Sequence, residues 1–196
     1  MNRIQKFFAM FAITIMLAAC GGGGGGDSSS GDNGGTGGTG GTGGTGGTGG
    51  PGTATVAYSV TSTAPLPASV QGVTLVAFLP AGTTVATNTG TNVISSTALT
   101  AGSGITSASR QVFGTYSAPA NKVKIIVVTT EETFLGGEFA KLTVGLPSSS
   151  TLTANDFAAS NQPSFPFFQS AGFDATTDTS FDLTSKLQAS LGVTFN

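Results

Sequence analysis

From Thr53 onward, apolar side chains recur at every second position in several separate stretches, the period of a strand with one face on a core. Thr55–Thr61 places Val56, Tyr58 and Val60 on one face. Glu138–Leu146 places Ala140, Leu142, Val144 and Leu146 together, opposite Phe139, Lys141 and Thr143. The C-terminal stretch alternates longest, with Leu187, Ala189, Leu191, Val193 and Phe195 interleaved with Gln188, Ser190, Gly192 and Thr194. Leu183, Leu187 and Leu191 also share a helical spacing, but alternation accounts for more of this segment.

Two runs are apolar on both faces, GVTLVAFLP (Gly72–Pro80) and KIIVVTT (Lys124–Thr130), as strands central to a sandwich are. Pro80-Ala81-Gly82 and Leu135-Gly136-Gly137 supply turn chemistry. SAPANK, Ser117–Lys122, joins Arg110–Tyr116 to Lys122–Thr130 as a hairpin. TANDFAAS has room for one helical turn. These elements predict an all-β fold over 53–196, a jelly-roll-type β-sandwich of about eight or nine strands.

The N-terminal pattern is different. Arg3 and Lys6 precede FFAMFAITIML (Phe7–Leu17), and small residues follow at Ala18 and Ala19. That layout is a secretory signal peptide over 1–19, and its apolar stretch is shorter than the roughly 20 residues a membrane-spanning helix needs. Leu17-Ala18-Ala19-Cys20 resembles the lipobox of bacterial lipoproteins. The resemblance implies cleavage between Ala19 and Cys20, acylation of Cys20 with diacylglyceryl and palmitate-type chains, and an exported protein held on the cell envelope by lipid. Two or more acyl chains give stable anchoring where one does not. Gly21 in place of an aspartate after the cysteine implies, by the same resemblance, the outer membrane.

Residues 20–52 follow the signal as the lipidated Cys20 and a linker that from Gly21 is almost pure Gly, Ser, Thr, Asp and Asn, with Gly-Gly-Thr repeated from Gly34 to Thr48. Two glycines per triplet and no proline inside the repeat argue against a collagen helix. No apolar side chain is there to offset ordering entropy, so the tract reads as a disordered linker. A flexible chain of that length spans roughly 28–34 Å on average.

Composition removes several functions. There is no histidine and a single cysteine, so neither Ser-His-Asp nor Cys-His catalysis is possible. The same counts rule out an intramolecular disulfide and a cysteine-based zinc site. A net charge of -2 and a charged fraction of 8% give no electrostatic footprint for nucleic acid.

VQGVTLVAFLPAGTTVATN (Val70–Asn88) and GTYSAPANKVKIIVVTTEETFLGGEFAKLTVGLP (Gly114–Pro147), with the closing VTF at Val193–Phe195, resemble cohesin-like jelly-roll domains of bacterial surface lipoproteins. The resemblance implies a non-enzymatic module that binds a protein, dockerin-like or another surface protein. The superfamily also contains sandwiches that bind carbohydrate, so polysaccharide is the alternative ligand. A structural envelope or matrix protein is the third reading.

The candidate chemistry is sparse. Glu131, Glu132 and Glu138 flank one loop and could pair as glycosidase acid and base, though the same charges protect strand ends from edge pairing. Asp174, Asp178 and Asp182 recur every four residues and could offer oxygen ligands to calcium, a spacing unlike an EF-hand; otherwise no cofactor is implied. Phe165, Phe167 and Phe168 lie among prolines in QPSFPFFQS, either as a ligand-binding aromatic patch or as a plug for one end of the sandwich. Sugar stacking usually uses Trp or Tyr, and the chain has no Trp and only Tyr58 and Tyr116, both within expected strands. Asn161, Gln162 and Asp174 remain as groups able to bind hydroxyls.

Overall fold

The computed structural model describes residues 52–130 and 134–196. The signal peptide, Cys20 and the glycine tract up to Pro51, together with Glu131 and Glu132, lie outside the described residues.

Among the described residues, nine strands form two antiparallel sheets. They are β1 (Thr53–Ser62), β2 (Ser69–Phe78), β3 (Leu99–Ala101), β4 (Gln111–Ser117), β5 (Lys122–Val128), β6 (Gly137–Gly145), β7 (Phe167–Asp174), β8 (Thr179–Asp182) and β9 (Leu187–Phe195). One sheet has the order β3-β6-β1-β9 and the other β4-β5-β2-β7-β8. Among the described residues, only β4–β5 and β7–β8 are hairpins within a sheet; every other connection between these strands crosses to the opposite layer. The all-β sandwich expected from the alternation is therefore the observed architecture. A helix α1 (Ala154–Ala159) follows β6, and a short 3-10 turn (Thr184–Lys186) precedes β9.

The strand faces follow the residue pattern. Ala54, Val56, Tyr58 and Val60 of β1 are buried while the residues between them are half-exposed. β2 lies between β5 and β7 and is buried along nearly its whole length, as its two-sided apolar run requires. β5 is less covered, with Val123, Ile125 and Val127 in the core and Ile126 and Val128 half-buried. The expected Ser117–Lys122 hairpin joins β4 to β5. Asn121 closes it with φ 45°, a left-handed conformation that asparagine tolerates. Its side-chain oxygen accepts from the Tyr116 hydroxyl at 2.8 Å. Gly82, with φ 80°, makes the turn after Pro80 that the sequence marks.

Phe139 departs from the expectation. Simple alternation puts it on the face opposite Ala140, yet both side chains are fully buried. The β1–β6 register shifts between Tyr58 and Ser59, pairing Tyr58 with Ala140 and Ser59 with Glu138. Phe139 is the extra residue of this β-bulge, and the bulge turns its ring inward to 6.5 Å from that of Tyr58. The core formed by both inner faces is led by Tyr58, Phe139, Phe157, Leu75, Ile125 and Leu142.

TANDFAAS forms more than one turn. α1 is six residues long, and the Asp156 carboxylate accepts from the Thr153 backbone N–H at 2.7 Å and its hydroxyl at 2.8 Å. Those two bonds tie Thr153 to the first turn and hold the Asp156 carboxyl below its ordinary range. Phe157 carries the helix into the core and meets Phe195 at 6.2 Å.

Candidate functional site

A groove of about 700 Å³ opens between the start of β7 and the start of β9. β8 pairs only with Ala171–Asp174, so the first half of β7 extends beyond it. One wall is the segment from Asn161 into β7, including Phe165, Phe167 and Phe168; the other is Leu187–Leu191 of β9. No lining residue carries a charge. Gln162, Ser164, Gln188 and Ser190 supply the polar groups.

The three phenylalanines thus share one site but have different surroundings. Phe165 is half-buried and meets Tyr58 edge-on at 6.4 Å, so it caps the core as the plugging alternative supposed. Phe168 pairs with Leu75 on the core side of β2 and is half-buried, whereas Phe167 pairs with Val76 and is 42% exposed. The Gln162–Pro163 peptide within this wall is cis.

Asn161 anchors the wall. Its side-chain oxygen accepts from the Phe78 N–H at 2.9 Å, and its amide donates to the Phe78 carbonyl at 2.9 Å and the Phe157 carbonyl at 3.0 Å. The side chain therefore imitates one residue of a neighbouring strand at the end of β2 and ties α1 to it. Both amide atoms are engaged, which removes Asn161 from the groups expected to bind sugar hydroxyls. Nothing in its sequence neighbourhood distinguishes it from other loop asparagines.

Behind the wall, the Tyr58 hydroxyl is buried with no hydrogen-bond partner. Burial pushes its phenol well above the ordinary tyrosine range. Tyr116 is also buried, with its hydroxyl on Asn121 and the Thr83 carbonyl. Neither tyrosine presents a ring for stacking.

The acidic candidates take local structural roles. Asp174 accepts from the Thr177 hydroxyl and the Thr176 N–H, both at 2.8 Å. Asp182 accepts from the Thr184 N–H at 2.9 Å. These bonds lower both carboxyls from their ordinary range. Asp178 sits in the β7–β8 turn with φ 52°. Among the described residues no three acidic side chains gather to hold a metal ion, so Asp174, Asp178 and Asp182 are not brought together as calcium ligands. Glu138 accepts from the Ser103 N–H at 2.7 Å and lies 3.2 Å from the Lys141 ammonium. Among the described residues no helix is long and apolar enough to cross a membrane.

The fold and the groove define a β-sandwich with an uncharged, aromatic-walled cleft at one sheet edge. No protein-family model, curated protein or solved structure matches the chain.

Proposed function

We propose that this chain is an exported, lipid-anchored, non-enzymatic binding module whose cohesin-like sandwich holds a protein at the groove between β7 and β9. The observation that carries the reading is the groove itself, which exposes Phe167 and leaves Phe168 partly accessible between amide and hydroxyl groups with no charge among them. Apolar surface rimmed by polar side chains is the usual composition of a protein contact. The anchor rests on Cys20 within Leu17-Ala18-Ala19-Cys20, and the outer membrane is its proposed location.

Gln162 and Gln188 on the rim favour polysaccharide as a second ligand class, since amides bind hydroxyls in both directions. Two experiments separate the readings. Affinity capture from cell envelopes and binding to a polysaccharide array are compared for the full chain and Phe167→Ser. Capture of one protein that the substitution abolishes supports the proposal. Polysaccharide binding lost with the substitution replaces it, and silence in both ends it. For the anchor, Cys20→Ala should move the chain from the membrane to the soluble fraction; unchanged retention refutes lipidation.

A further inference from the structure

Sheet edges offer unpaired N–H and C=O groups to other chains, and this protein closes most of its own. Asn92–Ile94 lies along β4, with the Ile94 N–H donating to Gly114 at 2.9 Å and the Tyr116 N–H to Asn92 at 2.8 Å. β6 is covered beyond β3, where the Thr143 N–H donates to Ala98 at 2.7 Å and Gly145 exchanges bonds with Thr84. β8 is four residues long and carries Asp182, and β3 is three residues long. β9 is nine residues long, and among the described residues no strand pairs with its outer side, while α1 meets it at Phe195.

The β1–β9 register fixes which backbone groups face that side. The Asn196 N–H donates to Thr53 and the Thr63 N–H to Lys186, so the bonded pairs fall at odd residues of β1 and even residues of β9. Gln188, Ser190, Gly192 and Thr194 therefore bond to β1. Leu187, Ala189, Leu191, Val193 and Phe195 direct their backbone groups outward.

We infer that the partner held at this edge is a second copy of the same chain, joined antiparallel through β9 about a two-fold axis at Leu191. This rests on the protein-binding reading of the groove and names its partner. A two-fold axis at Leu191 sets Leu187 against the partner's Phe195, Ala189 against the partner's Val193, and Leu191 against the partner's Leu191. Every one of those residues points its backbone outward, so the hydrogen bonding is self-complementary. β9 contains no charge and no proline, so neither like-charge repulsion nor a missing donor opposes the pairing.

The side chains agree. On the core-facing side, the partner's Val193 and Phe195 come alongside Ala189 and Leu187, at the groove that Phe165 and Phe168 line. Phe195 is 42% exposed in one copy. On the other face, Gln188 meets the partner's Thr194 and Ser190 meets the partner's Gly192, so polar and small residues remain toward solvent.

The test is sedimentation equilibrium of the full chain in density-matched detergent. The chain should dimerise reversibly with concentration, and Ala189→Pro should be monomeric with unchanged circular dichroism, because that N–H faces away from β1. Gly192→Lys places a cation at a position whose Cβ meets nothing within 4 Å, and should weaken dimerisation at least tenfold at low salt, most at the lowest ionic strength. It decides the matter if Ala189→Pro fails to fold. A monomeric wild type, or a dimer that persists in both variants, overturns the inference. Gln188→p-benzoylphenylalanine in the full chain, irradiated in cell envelopes, should cross-link to the partner's β9. A cross-link to a different protein overturns self-pairing and leaves the groove a protein site. A cross-link to no protein overturns both.

Discussion

The ring of Phe165 meets that of Tyr58 edge-on, with centroids 6.4 Å apart and planes at 63°. This contact joins the groove wall to the core, because Tyr58 also packs on the bulged Phe139. Phe165→Ala should cost about 2–3 kcal/mol, less than a fully buried phenylalanine, and should loosen the wall. Urea denaturation measures the first effect. A loss below 0.5 kcal/mol would show that the ring is only a surface contact.

Tyr58→Phe should stabilise the protein. Its hydroxyl is buried with no partner, and an unsatisfied buried polar group costs on the order of 1–3 kcal/mol. Phenylalanine keeps both ring contacts and removes that cost, so the urea midpoint should rise with unchanged slope. A fall would mean the hydroxyl is bonded in solution.

Asn161→Ala should destabilise by about 2–3 kcal/mol, since it breaks three hydrogen bonds and leaves groups of Phe78 and Phe157 unpaired. Asn161→Asp tests the same contacts by charge, because a carboxylate cannot donate to the two carbonyls. Both variants should speed hydrogen exchange at Phe78 and through α1. Exchange changed at neither place would refute the anchoring role.

Stability should fall in acid. Partial burial pushes the Glu138 carboxyl up, but the bonds from Ser103 and the nearby Lys141 outweigh it and hold the group below its ordinary 4.5. Hydrogen bonds from Thr153, Thr177 and Thr184 lower Asp156, Asp174 and Asp182 in the same direction. The folded state therefore binds fewer protons than the unfolded chain, and the stabilisation is present above pH 4.5 and lost as pH falls through the lowered values. Melting temperatures from pH 7 to 3 should show this decline, and Glu138→Gln should make it shallower. An unchanged pH dependence in that variant would remove Glu138 from the account.

Period-two alternation was enough to place β1, β6 and β9, because a strand with one buried face must repeat every second residue, whereas β2 was marked by an apolar run on both faces. The turns at Gly82 and Asn121 were legible for a similar reason, as few residue types accept a positive φ. At Phe139 alternation failed, since a bulge depends on two strands and a single strand carries no mark of it. Half of the candidate site was visible as a run of phenylalanines among prolines. The other half was not, because Leu187–Leu191 looked like any strand until its neighbour was known.

The amino-acid order by itself determined the β class, the main strand faces and which catalytic chemistries the chain cannot perform. These follow from local spacing and from residue types that are simply present or absent. Only the tertiary structure decided that Phe165 faces Tyr58, that Asn161 serves Phe78, and that β9 lies at an open edge. Each of those depends on segments brought together across the chain, and local spacing does not encode which segments meet.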